Sequence, residues 1–279
     1  MSRTVILGAG IAGHTAALHL RRMVGKEHDV VVVAPNSKWN WIPSNIWVGV
    51  GQMSVKQVTF PLAPIYKRKG IEFHQALATE LHAEGSPTLP RPHVMVRYTD
   101  EDRQGVVAPL EYDYLINATG PKLNFGATPG LGPDGHTWSV CTAGHAAETA
   151  TAVEDVLVRL HAGERQTLLI GMGHGTCTCQ GAAFEYTFNV EHELVKEGVR
   201  DRAEVIYITN ESSLGDFGMV GMNFGHKGDV IPSQMFTESL FQERGVKAIM
   251  SAHVERVEPG IAYSEQVDGT KGEQPFDFA

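Results

Sequence analysis

Three glycines at the spacing G-x-G-x-x-G, Gly8, Gly10 and Gly13, follow directly on the apolar run Val5-Ile6-Leu7. A glycine at the first position permits a tight turn after a strand. At the second it lets a ligand's phosphates approach the backbone, and at the third it lets the next helix pack close to the strand. The spacing predicts a strand over 4–8, the turn over 8–13, a helix over about 12–24 and a strand over 29–34. Within that last strand, Val30-Val31-Val32-Val33 has the continuous β-branched character of a strand buried on both faces. The result is a βαβ unit whose helix N-terminus offers unpaired N–H groups to a dinucleotide pyrophosphate. The turn residues Gly8, Ala9, Gly10, Ile11, Ala12 and Gly13 are its predicted contacts.

An acidic residue that binds a ribose hydroxyl is expected at the end of the second strand, and Ala34-Pro35-Asn36 stands there instead. This argues against NAD in the first unit and leaves a flavin held by backbone contacts. The aromatic stretch Lys38-Trp39-Asn40-Trp41-Ile42-Pro43-Ser44-Asn45 then reads as a loop at the ligand-binding end of the sheet. Short strands are expected at Ile71–His74 and around Ala78–Leu81. Residues 85–110, with their Pro-rich and charged turns, read as an antiparallel β-meander. Tyr112–Asn117 reads as a strand ending at Ala118-Thr119-Gly120, and the Gly- and Pro-rich connector 120–136 marks a domain boundary.

The opening theme returns at Thr167–Ile170, followed by Gly171-Met172-Gly173-His174-Gly175, a helix over about 181–197 and a strand over 205–209. The fold class expected is therefore α/β, with two tandem Rossmann-like domains at 1–135 and 136–279 and an antiparallel β-meander inserted in the first. Further strands are expected at 246–250, 254–257 and 260–267. Phe276–Ala279 reads as the start of another, so the sequence reads as if cut.

The second glycine turn is followed by Cys177 and Cys179, at the start of the expected helix. Thiols at a helix N-terminus have depressed pKa and raised thiolate content, which suits redox chemistry. The alternative is a small buried hydrophobe, a common fate of free cysteine. Glu185, six residues after Cys179, is either a buried proton-handling carboxylate or a solvated helix residue. Cys177, Cys179 and His174 lack the four-ligand spacing of a structural metal site, so no metal is expected.

A net charge of −9 with no basic cluster argues against nucleic-acid binding. Three cysteines, Cys141, Cys177 and Cys179, are too few for a disulfide-stapled secreted scaffold. The first strand begins within a few residues of Met1, leaving no room for a signal peptide, and no apolar run approaches the about eighteen residues of a membrane span.

Together the motifs resemble the sulfide:quinone oxidoreductases, FAD enzymes with two dinucleotide-type domains. The resemblance is carried by Gly8-Ala9-Gly10, Pro43-Ser44-Asn45-Ile46-Trp47-Val48-Gly49-Val50-Gly51 and Tyr112–Leu123. It continues in Ser139-Val140-Cys141 with His145-Ala146, and in Cys179-Gln180-Gly181-Ala182-Ala183-Phe184-Glu185-Tyr186. It implies oxidation of sulfide through cysteine persulfide chemistry and electron transfer to a quinone by a peripheral protein on the cytoplasmic side of the membrane. By that resemblance Cys179 belongs to the active cysteine pair, Cys141 and the added thiol Cys177 lie nearby, and Glu185 and His145 handle protons. FAD is held by the first turn, Ala34, Pro35, Pro43, Ser44, Asn45, Ala78, Ala118, Thr119 and Gly120. Phe217 stands where the family has a second histidine. The family continues beyond a length of 279 residues, and its C-terminal third would bring the partner cysteine, the quinone pocket and the membrane-attaching helices. The oligomeric state is left open, a homo-oligomer included. Two rivals stand beside this reading: a type II NADH dehydrogenase relative, with Glu211 as its ribose binder, and a non-catalytic flavin-binding module.

Overall fold

A computed structural model describes residues 2–173, 180–217, 219 and 221–279. By internal packing the chain divides into two compact units, Met1–Trp41 with Thr59–Lys122, and Ile42–Val58 with Leu123–Ala279.

In the first unit β1 (Arg3–Leu7), α1 (Ile11–Met23) and β2 (Asp29–Ala34) form the expected βαβ start. Two short strands, β3 (Lys38–Asn40) and β4 (Thr59–Pro61), pair antiparallel, and α2 (Leu62–Lys69) follows. The aromatic stretch expected as a loop thus opens with a strand, because Trp39 stacks on Phe60 across the pair at 4.8 Å. The unit continues with β5 (Glu72–His82), β6 (His93–Tyr98), β7 (Val107–Glu111) and β8 (Tyr114–Asn117). The six-stranded sheet has the order β7-β6-β5-β2-β1-β8.

The two short strands expected near 71 and 80 are one strand of 11 residues. Its first part pairs parallel with β2, from Val31–Glu72 to Ala34–Gln75, and its second part pairs antiparallel with β6. A register shift between Ala78 and Glu80 separates the meander from the parallel core. Alternation across the strands explains the continuous valine run. Val5, Leu7, Val31 and Val33 pack with the meander residues Val94, Val96 and Tyr98, whereas Ile6, Val30 and Val32 pack with Ala17 of α1 and with Leu62 and Tyr66 of α2. With both faces covered, every side chain of the run is buried, at about 1.5–3 kcal/mol for a fully buried valine.

The second unit holds α3 (Ala143–His161), β9 (Gln166–Gly171), α4 (Gln180–Lys196), β10 (Ala203–Ile208), the hairpin β11 (Asn223–His226) and β12 (Asp229–Pro232), α5 (Ser233–Arg244) and β13 (Lys247–Ile249). The antiparallel strands β14 (Ala252–Glu258), β15 (Ile261–Gln266) and β16 (Lys271–Pro275) complete it. β13, β10 and β9 pair parallel in that order. Phe278 adds a parallel bridge to Leu168 on the other side of β9, as expected of a further strand. Helix α3 has no counterpart in the sequence reading. Its signal is the spacing of Ala146, Thr149, Val153, Val156 and Leu160, all buried, behind the N-cap Thr142, whose hydroxyl accepts the His145 N–H at 3.1 Å. Among the described residues no helix is long and apolar enough to cross a membrane.

Candidate functional site

The first glycine turn sits where three parallel strands end together. Gly8 N donates to Val33 O at 2.7 Å and Ala118 N donates to Leu7 O at 2.8 Å, which fixes the turn against the ends of β2 and β8. Gly8 has φ +98°, and a Cβ there would stand 2.2 Å from Ala118 O. A Cβ on Gly13 would stand 2.0 Å from Gly8 O, so helix α1 can approach the turn only through hydrogen. These two glycines serve the protein's own packing. Gly10 differs: among the described residues a Cβ there would meet no atom within 4 Å.

Gly10 is also the N-cap of α1, with no side-chain cap and no acidic residue in the first turn. The first N–H groups of the helix are therefore left to an external acceptor, and the helix dipole favours an anion there. His14, on the same helix, is buried, and burial holds its imidazole below the usual range. Its Nδ1 lies 3.0 Å from the Tyr66 hydroxyl, within hydrogen-bond distance, and burial pushes the Tyr66 phenol up. The anion cradle is thus built from backbone N–H groups, which fits the pyrophosphate of FAD.

Around this turn, Ala118, Thr119 and Gly120 follow β8. The Asn117 side-chain oxygen accepts from Thr119 N at 3.2 Å and from Thr119 Oγ1 at 2.9 Å, and Gly120 adopts φ +69°. Ala34 is buried at the end of β2, and the carbonyl of exposed Pro35 accepts from Thr99 Oγ1 at 2.8 Å. That bond ties the end of β2 to the meander, a contact the sequence reading missed because its partners lie 64 residues apart. Ala78 lies three residues beyond Gln75, the partner of Ala34, at the register shift in β5. A cleft of about 400 Å³ at the opposite end of the sheet is lined by Arg3, Asp29, Arg91, Glu111 and Asp113. Its arginines are already paired with acids, Arg91 with Glu111 and Asp113 at 3.0 Å each, so it offers a ligand little.

Pro43, Ser44 and Asn45 belong to the second unit. Pro43 and Ser44 lie in the 3-10 turn Ile42–Ser44, and Asn45, fully buried, opens the helical turn Asn45–Val48. That turn is anchored on α4, where the buried Tyr186 hydroxyl donates to Gly49 O at 3.0 Å. Cys141 is exposed, and its N–H donates to Ser139 Oγ at 3.1 Å, one residue ahead of the α3 cap. His145, in the first turn of α3, packs edge-on against Phe125, and its buried Nδ1 has no hydrogen-bond partner among the described residues. Glu185 lies on α4 and is exposed, which matches the solvated alternative. Cys177, Cys179 and His174 lie outside the described residues.

At the end of β10, Glu211 is buried. The side-chain amide nitrogen of Gln180, the first residue of α4, donates to Asn210 Oδ1 at 3.0 Å; with the amide turned over it would face the Glu211 carboxylate instead. The sequence reading noted Glu211 but had no signal for Gln180, which becomes its neighbour only through the βαβ crossover.

Comparison with known proteins places these features. A sulfide-quinone reductase of Aquifex aeolicus is 28% identical over 274 residues, covering 98% of this chain and 56% of that protein. The mitochondrial sulfide:quinone oxidoreductase of Mus musculus is 26% identical over 209 residues, covering 74% and 41%. The chain spans about half the length of the curated relatives it matches. Among solved structures, the sulfide:quinone oxidoreductase of Aquifex aeolicus superposes with a TM-score of 0.82 at 28% identity, covering all of this chain and 57% of that one. NDH2 of Plasmodium falciparum superposes at 0.73 with 17% identity, covering 99% and 53%, a likeness of fold. The family model for pyridine nucleotide-disulphide oxidoreductases matches residues 2–198, including the first glycine turn, Cys141, His145 and the second glycine turn. FAD is its cofactor, and the chain belongs to the pyridine nucleotide-disulphide oxidoreductases.

Proposed function

We propose that this chain forms the flavin-binding and cysteine-bearing part of an enzyme that oxidises sulfide and passes the electrons to a membrane quinone. The reading assigns FAD to the domain over 1–135 and the redox cysteines to the domain over 136–279. The single observation that carries it is the match along nearly the whole chain to a sulfide-quinone reductase, at 28% identity. A cradle open at Gly10 for the flavin's pyrophosphate supports it, as does the position of Cys179 in the sequence, directly ahead of helix α4.

FAD, when bound, supplies two-electron acceptance. The residues of the chain do the rest. Backbone N–H groups at the start of α1 hold the pyrophosphate, beside Ala118–Gly120; Pro43–Asn45 are further FAD contacts that the resemblance implies. Sulfide attacks a disulfide that includes Cys179, leaving a persulfide on one cysteine and a thiolate on the other. The thiolate is favoured by the helix N-terminus. Of the two proton-handling residues that the resemblance implies, His145 has a buried imidazole nitrogen with no partner among the described residues, and Glu185 is exposed on α4. Cys141 and Cys177 supply further thiols. Quinone is met at the cytoplasmic face of the membrane, with the protein bound peripherally.

The test is anaerobic. The full-length FAD-loaded enzyme of which this chain is a part is mixed with sulfide, and bleaching of the flavin absorbance is followed in wild type and Cys179→Ala. Wild type is expected to bleach and the variant to stay oxidised. Reduction of the variant at the wild-type rate would remove Cys179 from the mechanism.

A further inference from the structure

The N–H groups at the start of α1 can serve a pyrophosphate only if that turn is held still, and it is held from both sides. On the strand side Gly13 lies against Gly8, where a Cβ would stand 2.0 Å from Gly8 O. On the other side stands His14. Its backbone N–H donates to Gly10 O at 2.9 Å, which closes the first helical turn and leaves the N–H groups of Ile11, Ala12 and Gly13 without an intrahelical acceptor. Its imidazole reaches α2, with Nδ1 3.0 Å from the Tyr66 hydroxyl. Tyr66 is itself fixed. It is fully buried, packs on Phe73 of β5 at 5.4 Å and belongs to the cluster of Ile6, Val30 and Val32.

The ring of His14 is enclosed by aromatic side chains from three elements: Trp39 of β3 at 5.9 Å, Phe60 of β4 at 5.7 Å and Tyr66 of α2 at 5.5 Å. Tyr66 is the titratable group among them, and burial pushes its phenol up, so it stays neutral. The indole N–H of Trp39 is a buried donor with no partner among the described residues. None of these groups is an anion. A proton on the ring therefore has no counter-charge in the groups packed on it, and burial keeps the imidazole below its usual range. A pyrophosphate at the free N–H groups would bring that counter-charge to within about one helical turn. The strand end Ala34-Pro35-Asn36 lacks the ribose-binding acid, so more of the hold on the cofactor falls to this turn.

We infer that His14, tied to Tyr66, is a positioning residue for FAD: it fixes the first turn of α1 for the pyrophosphate, and flavin binding draws a proton onto its ring. The coupling has a definite sign. The bound anion favours the imidazolium, so the ring holds its proton more tightly in the FAD-bound protein than in the free one. Binding then takes up a proton, and FAD affinity rises as pH falls through the imidazole range. This inference rests on FAD as the cofactor and goes beyond the sulfide chemistry.

The experiment titrates the flavin-free full-length protein, of which this chain is a part, with FAD between about pH 5.5 and about pH 8, read by flavin fluorescence. Calorimetry in two buffers of different ionisation enthalpy measures the proton uptake. Wild type is expected to bind at least about threefold more tightly at the acid end, with net uptake of protons near the ordinary imidazole value of 6.5. His14→Asn keeps a polar group but cannot take the proton, so it should lose both the pH dependence and the uptake. Tyr66→Phe should bind FAD at least about threefold more weakly at the alkaline end, the scale of one hydrogen bond. A merely structural role would lower the melting temperatures of the variants and leave the pH profile unmoved. Equal proton uptake by wild type and His14→Asn overturns the inference. So does a wild-type affinity that fails to rise on acidification, or a Tyr66→Phe protein that binds FAD like wild type. If His14→Asn does not fold, the wild-type profile and Tyr66→Phe decide by the same criteria. Sulfide takes no part in this assay, so a failure of sulfide to bleach the flavin would sink the proposed function and leave the FAD result standing.

Discussion

Substitution of Gly10 and Gly13 by alanine separates ligand binding from folding within one six-residue turn. In Gly13→Ala the new methyl would lie 2.0 Å from Gly8 O, 2.9 Å from Gly8 C and 3.3 Å from Ala118 Cβ. Two of these are backbone atoms pinned by the ends of β2 and β8, so α1 must move away from the sheet. Overpacking of this kind costs about 1–3 kcal/mol. For a chain of this size that is a fall in melting temperature of roughly 2–4 °C per kcal/mol. In Gly10→Ala the methyl meets nothing within 4 Å. Its backbone, at φ −71° and ψ −165°, is open to alanine. Alanine is a poorer N-cap than glycine but lowers the entropy of the unfolded chain, and the two effects leave stability within about 0.5 kcal/mol. The same methyl occupies the space a pyrophosphate needs, so FAD affinity should fall at least about tenfold, or 1.4 kcal/mol. Thermal unfolding of the FAD-free proteins by circular dichroism, and FAD titration by flavin fluorescence, measure the two quantities separately. The reasoning is refuted if Gly10→Ala binds FAD like wild type, or if it destabilises the FAD-free protein as much as Gly13→Ala does.

Two further predictions concern the framework around the site. Tyr186→Phe removes the only polar atom of a buried side chain and leaves Gly49 O without its 3.0 Å donor, so urea unfolding should show a loss of about 1–2 kcal/mol with an unchanged m-value. In the first unit, His74 Nε2 lies 2.6 Å from Glu72, Arg3 lies 3.0 Å from the same carboxylate, and His74 Nδ1 lies 2.7 Å from the Tyr98 hydroxyl. The His74 hydrogen bond, with Arg3 adding to it, holds the Glu72 carboxyl below its ordinary value of 4.5. A depressed carboxyl stabilises the fold above that value, and the contribution is lost as pH falls through the lowered one. Glu72→Gln should therefore unfold at lower urea than wild type at pH 7, with the gap closing as pH falls below the ordinary carboxyl value of 4.5. A gap that persists at pH 3 would mean that packing, and not charge, is what the substitution disturbs.

The sequence by itself determined the first βαβ unit, the recurrence of its pattern at Thr167, the meander and the bare end of β2 at Ala34-Pro35-Asn36. These were legible because each rests on local rules: glycines where only hydrogen fits, a β-branched run for a strand covered on both faces, turn residues between strands. Even so, the local signal divided β5 in two, since nothing short-range tells that one strand serves a parallel and an antiparallel partner in turn. Helix α3 escaped because its core face is mostly alanine and threonine, whose burial comes from what packs on them.

The surroundings of the two glycine turns were decided only in three dimensions. In sequence, Gly8-Ala9-Gly10 and Gly171-Met172-Gly173 look alike, and the acid Glu211 even favours the second as a nucleotide site. What distinguishes them is Leu131, about forty residues upstream, whose side chain reaches the position of a Cβ on Gly173, while no described atom comes within 4 Å of one on Gly10. A glycine in a sequence states only that a Cβ is absent. Whether a ligand or the protein's own side chain fills the space depends on long-range packing.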